Sequence, residues 1–442
     1  MAEKTHPLAQ ARLACGMTGV DLAREICRAA ARRGLRSGAT KQRVYKWETQ
    51  GVTPDADSQT YIAEALGVPA SAVDPRAWPN WLPGVGGRVI PLGPGSPAPA
   101  LREAMRTTME RTSRRTFLTT ISSSALVGLA TTWASTDAQA LVGDPAPGGT
   151  AVGEELVALL EETSARLTVQ ATEQRQHTAP LIDALLNTVT NLVEDGRYNQ
   201  PVKLRLHALA STLSQTVGWH RFDLGQHTEA SQYWIAGLHA AHGGGDRDVG
   251  AALLGDLAYQ AAWRDDPRTA VNILERALSG ARHPAARSLL HLRLARSLAA
   301  QGEQRATFRA LAAAESLLDA SSGEPMPSWC SWLSAADLAV DSGQALLDLG
   351  DTRRAHQLIR EGKKLLPPSR DKTRGVFLAY EARSHLDLRE PEQAAAAARE
   401  ALQVAERIGA PRCVNLVRDL APAFRAYPEV YGVGALLDRV AV

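Results

Sequence analysis

The segment from Thr40 to Gly51, TKQRVYKWETQG, holds the side chains of this chain that are best suited to bind a polyanion. At 100° per residue, Val44 and Trp47 share one apolar face of a helix, with Thr40 beside them. The opposite face carries Gln42, Tyr45, Lys46 and Thr49, with Lys41 and Arg43 on its flanks. A helix this short is unstable alone, so its apolar face must pack on neighbouring helices. The polar face then presents long donors that suit the base edges and phosphates of duplex DNA.

The charge distribution favours the same end of the chain. The net charge of the 442 residues is +2, yet Met1–Thr116 carries 17 Lys and Arg against 10 Asp and Glu. Arg24–Lys46 alone holds eight basic residues and one acidic residue, Glu25. The rest of the chain is mildly acidic, so a polyanionic partner is expected only at the N-terminal end. A solvated charged face would explain these numbers, but not their coincidence with the segment Thr40–Gly51.

Several further helices are predicted to hold this segment in place. Aromatic residues make up only 5% of the chain, and Ala, Leu and Arg dominate, which favours helices over strands. Thr18 and Asp21 have the spacing of a capping box, and Gly16 is a usual helix end. The predicted helices around the segment cover Leu8–Cys15, the residues after Thr18, a run through Tyr61, Ile62 and Leu66, and Ser71–Trp78.

Three runs of residues resemble the Cro/repressor-like (XRE-type) helix-turn-helix family: ARLACGMT at Ala11–Thr18, VYKWETQG at Val44–Gly51 and IAEALGV at Ile62–Val68. The resemblance implies DNA contacts, to base edges from Lys41, Gln42 and Lys46, and to phosphates from Thr40 and Arg43. It also implies that Arg12 pairs with Glu48. Removing one partner of such a partly buried ion pair should cost more than removing one partner of a surface pair.

The chain departs from this family between its second and third helices. The family has a tight turn there, whereas this chain has RAAARRGLRS at Arg28–Ser37. The extra stretch either extends the second helix or forms a basic loop along the phosphate backbone, and the base assignments depend on the outcome. An alternative to DNA binding is that these helices only pack on a partner protein.

The next part of the chain is predicted to be a linker followed by an unusual apolar segment. Gly84–Pro99, GVGGRVIPLGPGSPAP, is rich in Gly and Pro, and a short helix is expected over Leu101–Met109. The run SRRTFL at Ser113–Leu118, the apolar stretch to Ala134 and the AQA at Ala138–Ala140 together resemble a twin-arginine export signal, although such a signal belongs at an N-terminus.

Three alternatives remain for this segment. It is an internal part of the fold, a membrane span over residues 117–134, or the leader of an exported product translated from Met105 or Met109. Eight Ser, Thr or Gly residues lie between Phe117 and Ala134, which is unfavourable for a span. A membrane location is therefore less expected than a cytoplasmic one.

From Gly148 onward the sequence predicts pairs of helices. The clearest pair is Leu204–Ala241, with a turn at Leu224–Gln226. Comparable turns recur at Arg264–Pro267, Gln301–Glu303, Leu349–Thr352 and Arg389–Pro391, and small residues such as Ala270, Ala355 and Ala398 follow them at helical spacing. The pattern resembles tetratricopeptide repeats, with longer and uneven spacing. The resemblance implies stacked helix pairs with a concave groove, which binds a peptide or small effector, or only another copy of the chain.

The sequence lacks the common signatures of catalysis and metal binding. It has no HExxH, P-loop, GxSxG or kinase motif, so an enzyme is the least expected class. His239 and His242 precede Asp246 and Asp248, but imidazoles at a helix end suit the helix dipole, so no metal or cofactor is predicted. The four cysteines are far apart without a CxxC pair, which predicts neither a zinc site nor a disulfide framework.

The sequence therefore predicts an all-α protein with three parts. These are an N-terminal helix-turn-helix bundle over residues 1–83, a linker with the apolar segment over 84–147, and an α-solenoid of tetratricopeptide-like helix pairs over 148–442. The expected function is that of a bacterial, cytoplasmic transcriptional regulator that binds double-stranded DNA. Its repeat domain is expected to bind the effector and form a homodimer, because one small module makes too few contacts for tight DNA binding. The alternatives are a protein-interaction scaffold and a membrane-tethered or exported helical-repeat protein.

Overall fold

A computed structural model describes residues 6–14, 17–66, 73–79, 81–82, 90, 92–93, 95–109, 121, 123–135, 150–168, 172–321, 326–327 and 329–441. Within these residues the chain forms twenty-one α-helices, one 3₁₀ turn and two strands of two residues each. The protein is therefore all-α, which confirms the predicted fold class.

The helices of the N-terminal part are α1 (Pro7–Ala14), α2 (Gly19–Arg32), α3 (Lys41–Thr49), α4 (Ala56–Ala65), α5 (Pro97–Met109), α6 (Ser123–Ser135) and α7 (Glu154–Thr168). Those that follow are α8 (Thr172–Asp195), α9 (Gln200–Asp223), α10 (His227–Gly244), α11 (Arg247–Trp263), α12 (Pro267–Gly280), α13 (Pro284–Ala299) and α14 (Gln304–Ala320). The last are α15 (Ala335–Asp348), α16 (Thr352–Leu365), α17 (Asp371–Asp387), α18 (Pro391–Ile408), α19 (Pro411–Arg418), α20 (Ala421–Phe424) and α21 (Val433–Ala441). The strands β1 (Thr150–Ala151) and β2 (Gly196–Arg197) pair in parallel.

The contacts between residues divide the chain into two compact units. Unit 1 consists of Met1–Ala158, Leu186–Gln215 and Ser231–Leu257. Unit 2 consists of Leu159–Leu185, Thr216–Ala230 and Ala258–Val442. Helices α7 to α11 contribute residues to both units. The three parts predicted from the sequence have different limits and stay a prediction.

The first four helices of unit 1 form a small helical module with its own core. Helix α2 contacts α3 and α4, and α1 contacts α3. The side chains of Leu22, Ile26, Trp47 and Ile62 are at most 2% exposed at the centre of this module. The module therefore buries the apolar faces that make each short helix stable.

Local capping explains where the second helix of the module begins. The Thr18 hydroxyl accepts a hydrogen bond from the backbone N–H of Asp21, and the Asp21 carboxylate accepts one from the backbone N–H of Thr18. This reciprocal pair satisfies two backbone donors that have no partner inside the helix. The capping-box pattern in the sequence thus positions the start of α2.

The extra residues between α2 and α3 both lengthen the helix and form a loop. Helix α2 continues to Arg32, and the chain then turns at Gly34, whose φ of +71° is accessible to glycine without strain. The predicted fifth helix over Ser71–Trp78 was wrong for the described residues 73–79, which hold only a 3₁₀ turn at Pro75–Ala77. Pro79 disfavours the α-helical conformation of Trp78 and ends any helix there.

Part of the apolar segment forms a buried helix of unit 1. Leu129, Ala130 and Trp133 of α6 are at most 5% exposed. Trp133 packs on Gly250 of α11, where a Cβ atom would lie only 2.6 Å from the indole nitrogen. The Arg247 guanidinium lies 4.3 Å from the Trp133 ring and donates a hydrogen bond to its backbone carbonyl. Residues 123–135 are thus an internal element of this unit.

The described helices include none that is long and apolar enough to cross a membrane. The paired arginines Arg114 and Arg115 and the AQA at Ala138–Ala140 lie outside the described residues. The same holds for Cys15, for Gly16 and for residues 84–89, 91 and 94 of the Gly/Pro-rich linker at Gly84–Pro99.

Unit 2 is a stack of helix pairs. The most extensive contacts join α13 to α14, α15 to α16 and α17 to α18. Helices α13, α15, α17 and α19 also contact one another in that order, and we call them the inner helices. Small residues lie where paired helices meet, and Ala355, Ala394 and Ala398 are fully buried. Such residues let helix backbones approach closely.

Each of the five predicted turns separates two helices. Three of them place a glycine in the left-handed conformation, for example Gly350 with a φ of +84° between α15 and α16. In the other two, Asp265 and Arg389 adopt the same conformation at a φ of +63°. The sequence therefore located the helix pairs correctly.

Candidate functional site

Helix α3 presents the side chains that the sequence assigns to DNA. Its N-cap is Thr40, whose hydroxyl accepts a hydrogen bond from the backbone N–H of Arg43 at 3.3 Å. Val44 and Trp47 are 1% and 2% exposed and hold the helix on the module. The side chains of Lys41, Gln42, Arg43, Tyr45 and Lys46 are exposed, and Tyr45 is 58% accessible. One face of α3 is thus free to carry a cationic and hydrogen-bonding surface.

Arg12 and Glu48 tie α3 to α1 through a two-point ion pair. Arg12 Nε lies 2.7 Å from Glu48 Oε1, and Arg12 Nη2 lies 3.1 Å from Glu48 Oε2. A third donor, Arg12 Nη1, binds the backbone carbonyl of Met17 at 2.8 Å. The two side chains are only 13% and 9% exposed. This geometry uses the planar fork of arginine and fixes the orientation of α3 against its neighbours.

Arg43 is partly engaged within the module. Its guanidinium lies 5.8 Å from the Trp47 ring and 3.6 Å from the Asp55 carboxylate, which caps α4. The Asp55 pKa is lowered, first by its hydrogen bond from Ser58 and to a lesser extent by Arg43. Arg43 is half exposed, so it is able to leave this exposed pair for a phosphate at little cost.

The arginines near the end of α2 also have partners within the module. Arg32 and Arg33 lie 2.8 and 3.0 Å from the carboxylate of Glu64 on α4, and Arg28 pairs with Glu25. The basic stretch between α2 and α3 is therefore partly neutralised by the fold. The positive character of the predicted DNA surface depends mainly on α3 itself.

A second group of charged and aromatic side chains lies on the inner helices of unit 2, together with the last turns of α9 and α11. We call this group the arginine–aromatic cluster. It consists of Trp219, Phe222, Asp223, Tyr259, Trp263, Arg293, Arg296, Asp341, Lys372, Tyr380 and Arg412. These residues come from six helices, and all of them belong to unit 2.

Arg412 occupies the centre of the aromatic residues. Its guanidinium carbon lies 4.8 Å from the ring centre of Trp263, 5.2 Å from Tyr259 and 5.3 Å from Phe222. Arg412 also donates a hydrogen bond to the hydroxyl of Tyr259. Arginine stacks well on aromatic faces because its delocalised cation is attracted by the ring and is weakly hydrated.

The other charges of the cluster form a recessed network. Arg296 lies 2.9 Å from Asp341 and 3.3 Å from the hydroxyl of Tyr380. Burial raises the pKa of Asp341, and the nearby arginines oppose this effect only in part. Burial also raises the pKa of Tyr380 to about 12. Arg296 and Asp341 keep 21% and 26% of their side chains accessible, so the network is only partly removed from solvent.

No local pattern in the sequence predicted this cluster. Trp219 and Phe222 lie within the predicted helix pair Leu204–Ala241, and the sequence predicts no role for them beyond that pair. The contacts that define the cluster join residues about 150 positions apart, such as Lys372 with Asp223 and Arg412 with Tyr259. The sequence held one signal of this cluster. In two successive helix pairs, the first helix carries a tryptophan near its end, at Trp219 and Trp263.

His239 and His242, considered above as metal ligands, lie inside unit 1. His239 is fully buried, and its Nδ1 lies 2.7 Å from the hydroxyl of Ser96. Burial lowers the pKa of His239 to about 3 and that of the neighbouring buried His207 to about 4. Within the described ranges, no three His, Cys, Asp or Glu side chains are grouped as metal ligands.

Comparisons with known proteins add one match to the N-terminal module. Residues 8–70 match the family model described as the SP15 N-terminal domain. No curated protein matches the chain. Among solved structures, the chain is similar to a chain of the "Crystal structure of APC/C hetero-tetramer Cut9-Hcn1". The identity is 14%, the TM-score is 0.26, and the match covers 98% of this chain and 89% of that chain.

The helix pairs of unit 2 by themselves make this a helical-repeat protein. The fold rests on the helix pairs of unit 2 and their turns, which agree with a tetratricopeptide-like arrangement. The match at residues 8–70 gives no support to the Cro/repressor-like resemblance. The DNA-binding residues and the homodimer stay predictions.

Proposed function

We propose that the protein is a protein-interaction scaffold that binds a partner on the inner helices of unit 2. The arginine–aromatic cluster carries this proposal. Arginine, tryptophan and tyrosine are the side chains that most often dominate binding at protein interfaces. A stack of helices that served only stability would bury apolar residues, as the contact between α17 and α18 does with Leu378, Ala398 and Leu402. Recessed charges are costly for folding alone, which supports a role in binding.

A site-specific photo-crosslinker tests the proposed surface. Arg383 lies on α17, is 36% exposed and pairs with Asp348 of α15, whose charge acts on Arg296 of the cluster, so a benzoylphenylalanine in its place lies beside the proposed surface. The matched control replaces Arg353, an exposed residue of α16. The full-length chain is expected to crosslink to a discrete protein from position 383 and not from 353. Equal crosslinking from both positions, or from neither, would contradict the proposal.

A second function, binding of duplex DNA by the N-terminal module, is favoured by the exposed face of α3. Gln42 and Lys46 present amide and ammonium groups outward, and the Arg12–Glu48 pair fixes the helix that carries them. Side chains of these types suit the base edges in the major groove. Combined with the first function, this makes the protein a DNA-binding regulator whose activity depends on a protein partner. A dimer is then expected, because a single small module binds weakly.

Fluorescence anisotropy with a labelled duplex of random sequence tests DNA binding by the full-length chain. The variant Lys41→Ala, Lys46→Ala is expected to bind at least tenfold more weakly at low salt, since phosphate neutralisation supplies much of the affinity. Arg43→Gln should reduce the slope of log affinity against log salt by about 1. Lys364→Ala, an exposed lysine of α16, serves as the control. Unchanged binding by the double variant would leave only the scaffold function.

A further inference from the structure

We propose that His356 of α16 and His385 of α17 together bind a divalent transition-metal ion such as Zn²⁺. The site lies in unit 2, outside the arginine–aromatic cluster, and it does not depend on the proposed partner. The basis of the inference is the hydrogen bonding that orients both rings, the free nitrogen that each ring keeps, and the distance between the rings.

The hydrogen bonds of His356 determine which of its ring nitrogens carries the proton. Its Nδ1 lies 2.9 Å from the hydroxyl oxygen of Ser384 on α17. The single proton of that hydroxyl is donated to the backbone carbonyl of Glu381 at 2.7 Å. Ser384 therefore accepts a hydrogen bond from the Nδ1–H of His356, and Nε2 keeps the lone pair. Burial and, next, His385 lower the pKa of His356, which favours this neutral ring.

His385, in the last turn of α17, has the same arrangement. Its Nδ1 lies 2.7 Å from Oε2 of Glu390, the residue that precedes α18. An ionised carboxylate only accepts hydrogen bonds, so the proton is on Nδ1 and the lone pair of the neutral ring is on Nε2. Histidines that bind metals commonly donate their other ring N–H to an oxygen in this way, because the bond orients the ring and makes the free nitrogen more basic.

Both Nε2 atoms are available to a ligand. Neither has a hydrogen-bond partner among the described residues. The buried polar atoms that lack a partner include neither of them, so both are accessible to solvent. In His207 and His239, by contrast, the ring nitrogen without a partner is buried. A metal ion from solution is therefore able to reach His356 and His385.

The spacing of the rings fits one shared ion. The ring centres of His356 and His385 are 4.5 Å apart, and the ring planes are inclined by 63°. Two imidazoles that bind one ion at about 2 Å have ring centres about 4.5–5 Å apart, for bond angles of about 90–110° at the ion. Among the described residues no third His, Cys, Asp or Glu completes the pair, so water fills the other positions of the ion. Imidazole ligands favour Zn²⁺, Cu²⁺ or Ni²⁺.

Isothermal titration of the full-length chain with Zn²⁺ at neutral pH tests the proposal. We expect a binding site for Zn²⁺ that is lost in His356→Gln and in His385→Gln. His177→Gln, which removes an exposed histidine of α8, is the matched control and should leave this site unchanged. Glu390→Ala removes the acceptor of His385 Nδ1 and should weaken Zn²⁺ binding about tenfold. The Glu390 side chain does not cap α18, so this variant should keep the native circular dichroism.

Electron paramagnetic resonance with one equivalent of Cu²⁺ counts the ligands directly. The native chain should show coupling of the copper to two imidazole nitrogens, and each single variant should show coupling to at most one. Three results would overturn the inference. These are equal Zn²⁺ affinity of the native chain and the variant His356→Gln, His385→Gln, an unchanged copper spectrum in that variant, and native Zn²⁺ affinity in Glu390→Ala.

Discussion

Mild acid should destabilise unit 1 through two buried histidines. His207 and His239 are 4% and 0% exposed, and burial lowers their pKa from 6.5 to about 4 and about 3. In the unfolded chain both side chains take up a proton near pH 6.5, whereas in the folded chain they remain neutral well below that value. The unfolded state therefore binds more protons below pH 6.5. The stability contributed by the neutral histidines is present above pH 6.5 and is lost as the pH falls toward 4 and 3.

The size of the effect follows from the pKa differences. Each histidine costs about 1.4 kcal/mol of unfolding free energy per pH unit between the two pKa values. Going from pH 7 to pH 5 therefore removes about 2 kcal/mol per histidine, or about 4 kcal/mol for the pair. Because both groups are buried, solvent screening does not reduce this figure as it does at a surface.

Hydrogen exchange measured by mass spectrometry provides the assay. Peptides from residues 200–215 and 231–244 report the free energy of opening around His207 and His239 at each pH. The variant His207→Gln, His239→Gln is expected to be less stable at pH 7, yet to lose about 4 kcal/mol less than the native chain on going to pH 5. His177→Gln, an exposed histidine of α8, is the control and should keep the native pH dependence.

The comparison of pH dependence isolates these two side chains from the other histidines. His242 also has a lowered pKa because of burial, and it is present in both proteins. If the double variant loses as much stability between pH 7 and pH 5 as the native chain, the buried neutral state of the two histidines is refuted.

Three further predictions concern packing. Arg12→Ala should lower the free energy of unfolding of the N-terminal module by about 3 kcal/mol, because it leaves Glu48 as a recessed charge. In chemical denaturation, the double variant Arg12→Ala, Glu48→Ala should lose less stability than the sum of the losses of the two single variants. Gly250→Ala should lower the thermal midpoint of unit 1 and change the near-ultraviolet circular dichroism of tryptophan, because the new Cβ displaces Trp133. An unchanged spectrum would contradict the packing of α6 on Gly250. Gly362→Ala should lower the free energy of unfolding by about 1–3 kcal/mol, because the new Cβ would lie 2.5 Å from a backbone carbonyl of α15 and would force α16 away from it. In the same denaturation series, Gly350→Asn at the adjoining turn should lower it by less.

Local sequence signals predicted much of the fold. The capping residues Thr18 and Asp21 and the turn at Gly350 act over three or four residues, so their effect is readable without knowledge of the rest of the chain. A helix was also predicted over Ser71–Trp78, but the described residues 73–79 hold only one 3₁₀ turn before Pro79. At Arg28–Ser37 the sequence left two alternatives, and the structure contains both a longer helix and a loop.

The candidate sites differ in how far they were predictable. The exposed face of α3 follows from periodicity within nine residues, because Val44 and Trp47 determine which side is buried. The arginine–aromatic cluster does not, because Asp223, Tyr259 and Arg412 meet only when distant helices stack. Each of these residues alone has the sequence context of an ordinary helix position.

The sequence by itself determined that the chain is all-α and built from helix pairs, since helix propensity, small residues and turn residues act locally. Tertiary structure alone decided that part of the apolar segment is a buried helix packed on Gly250. It also decided that Arg412 lies among aromatic rings with an unfilled donor. The physical reason is that burial and desolvation depend on which distant helices pack against one another, and a local pattern of residues does not determine that packing.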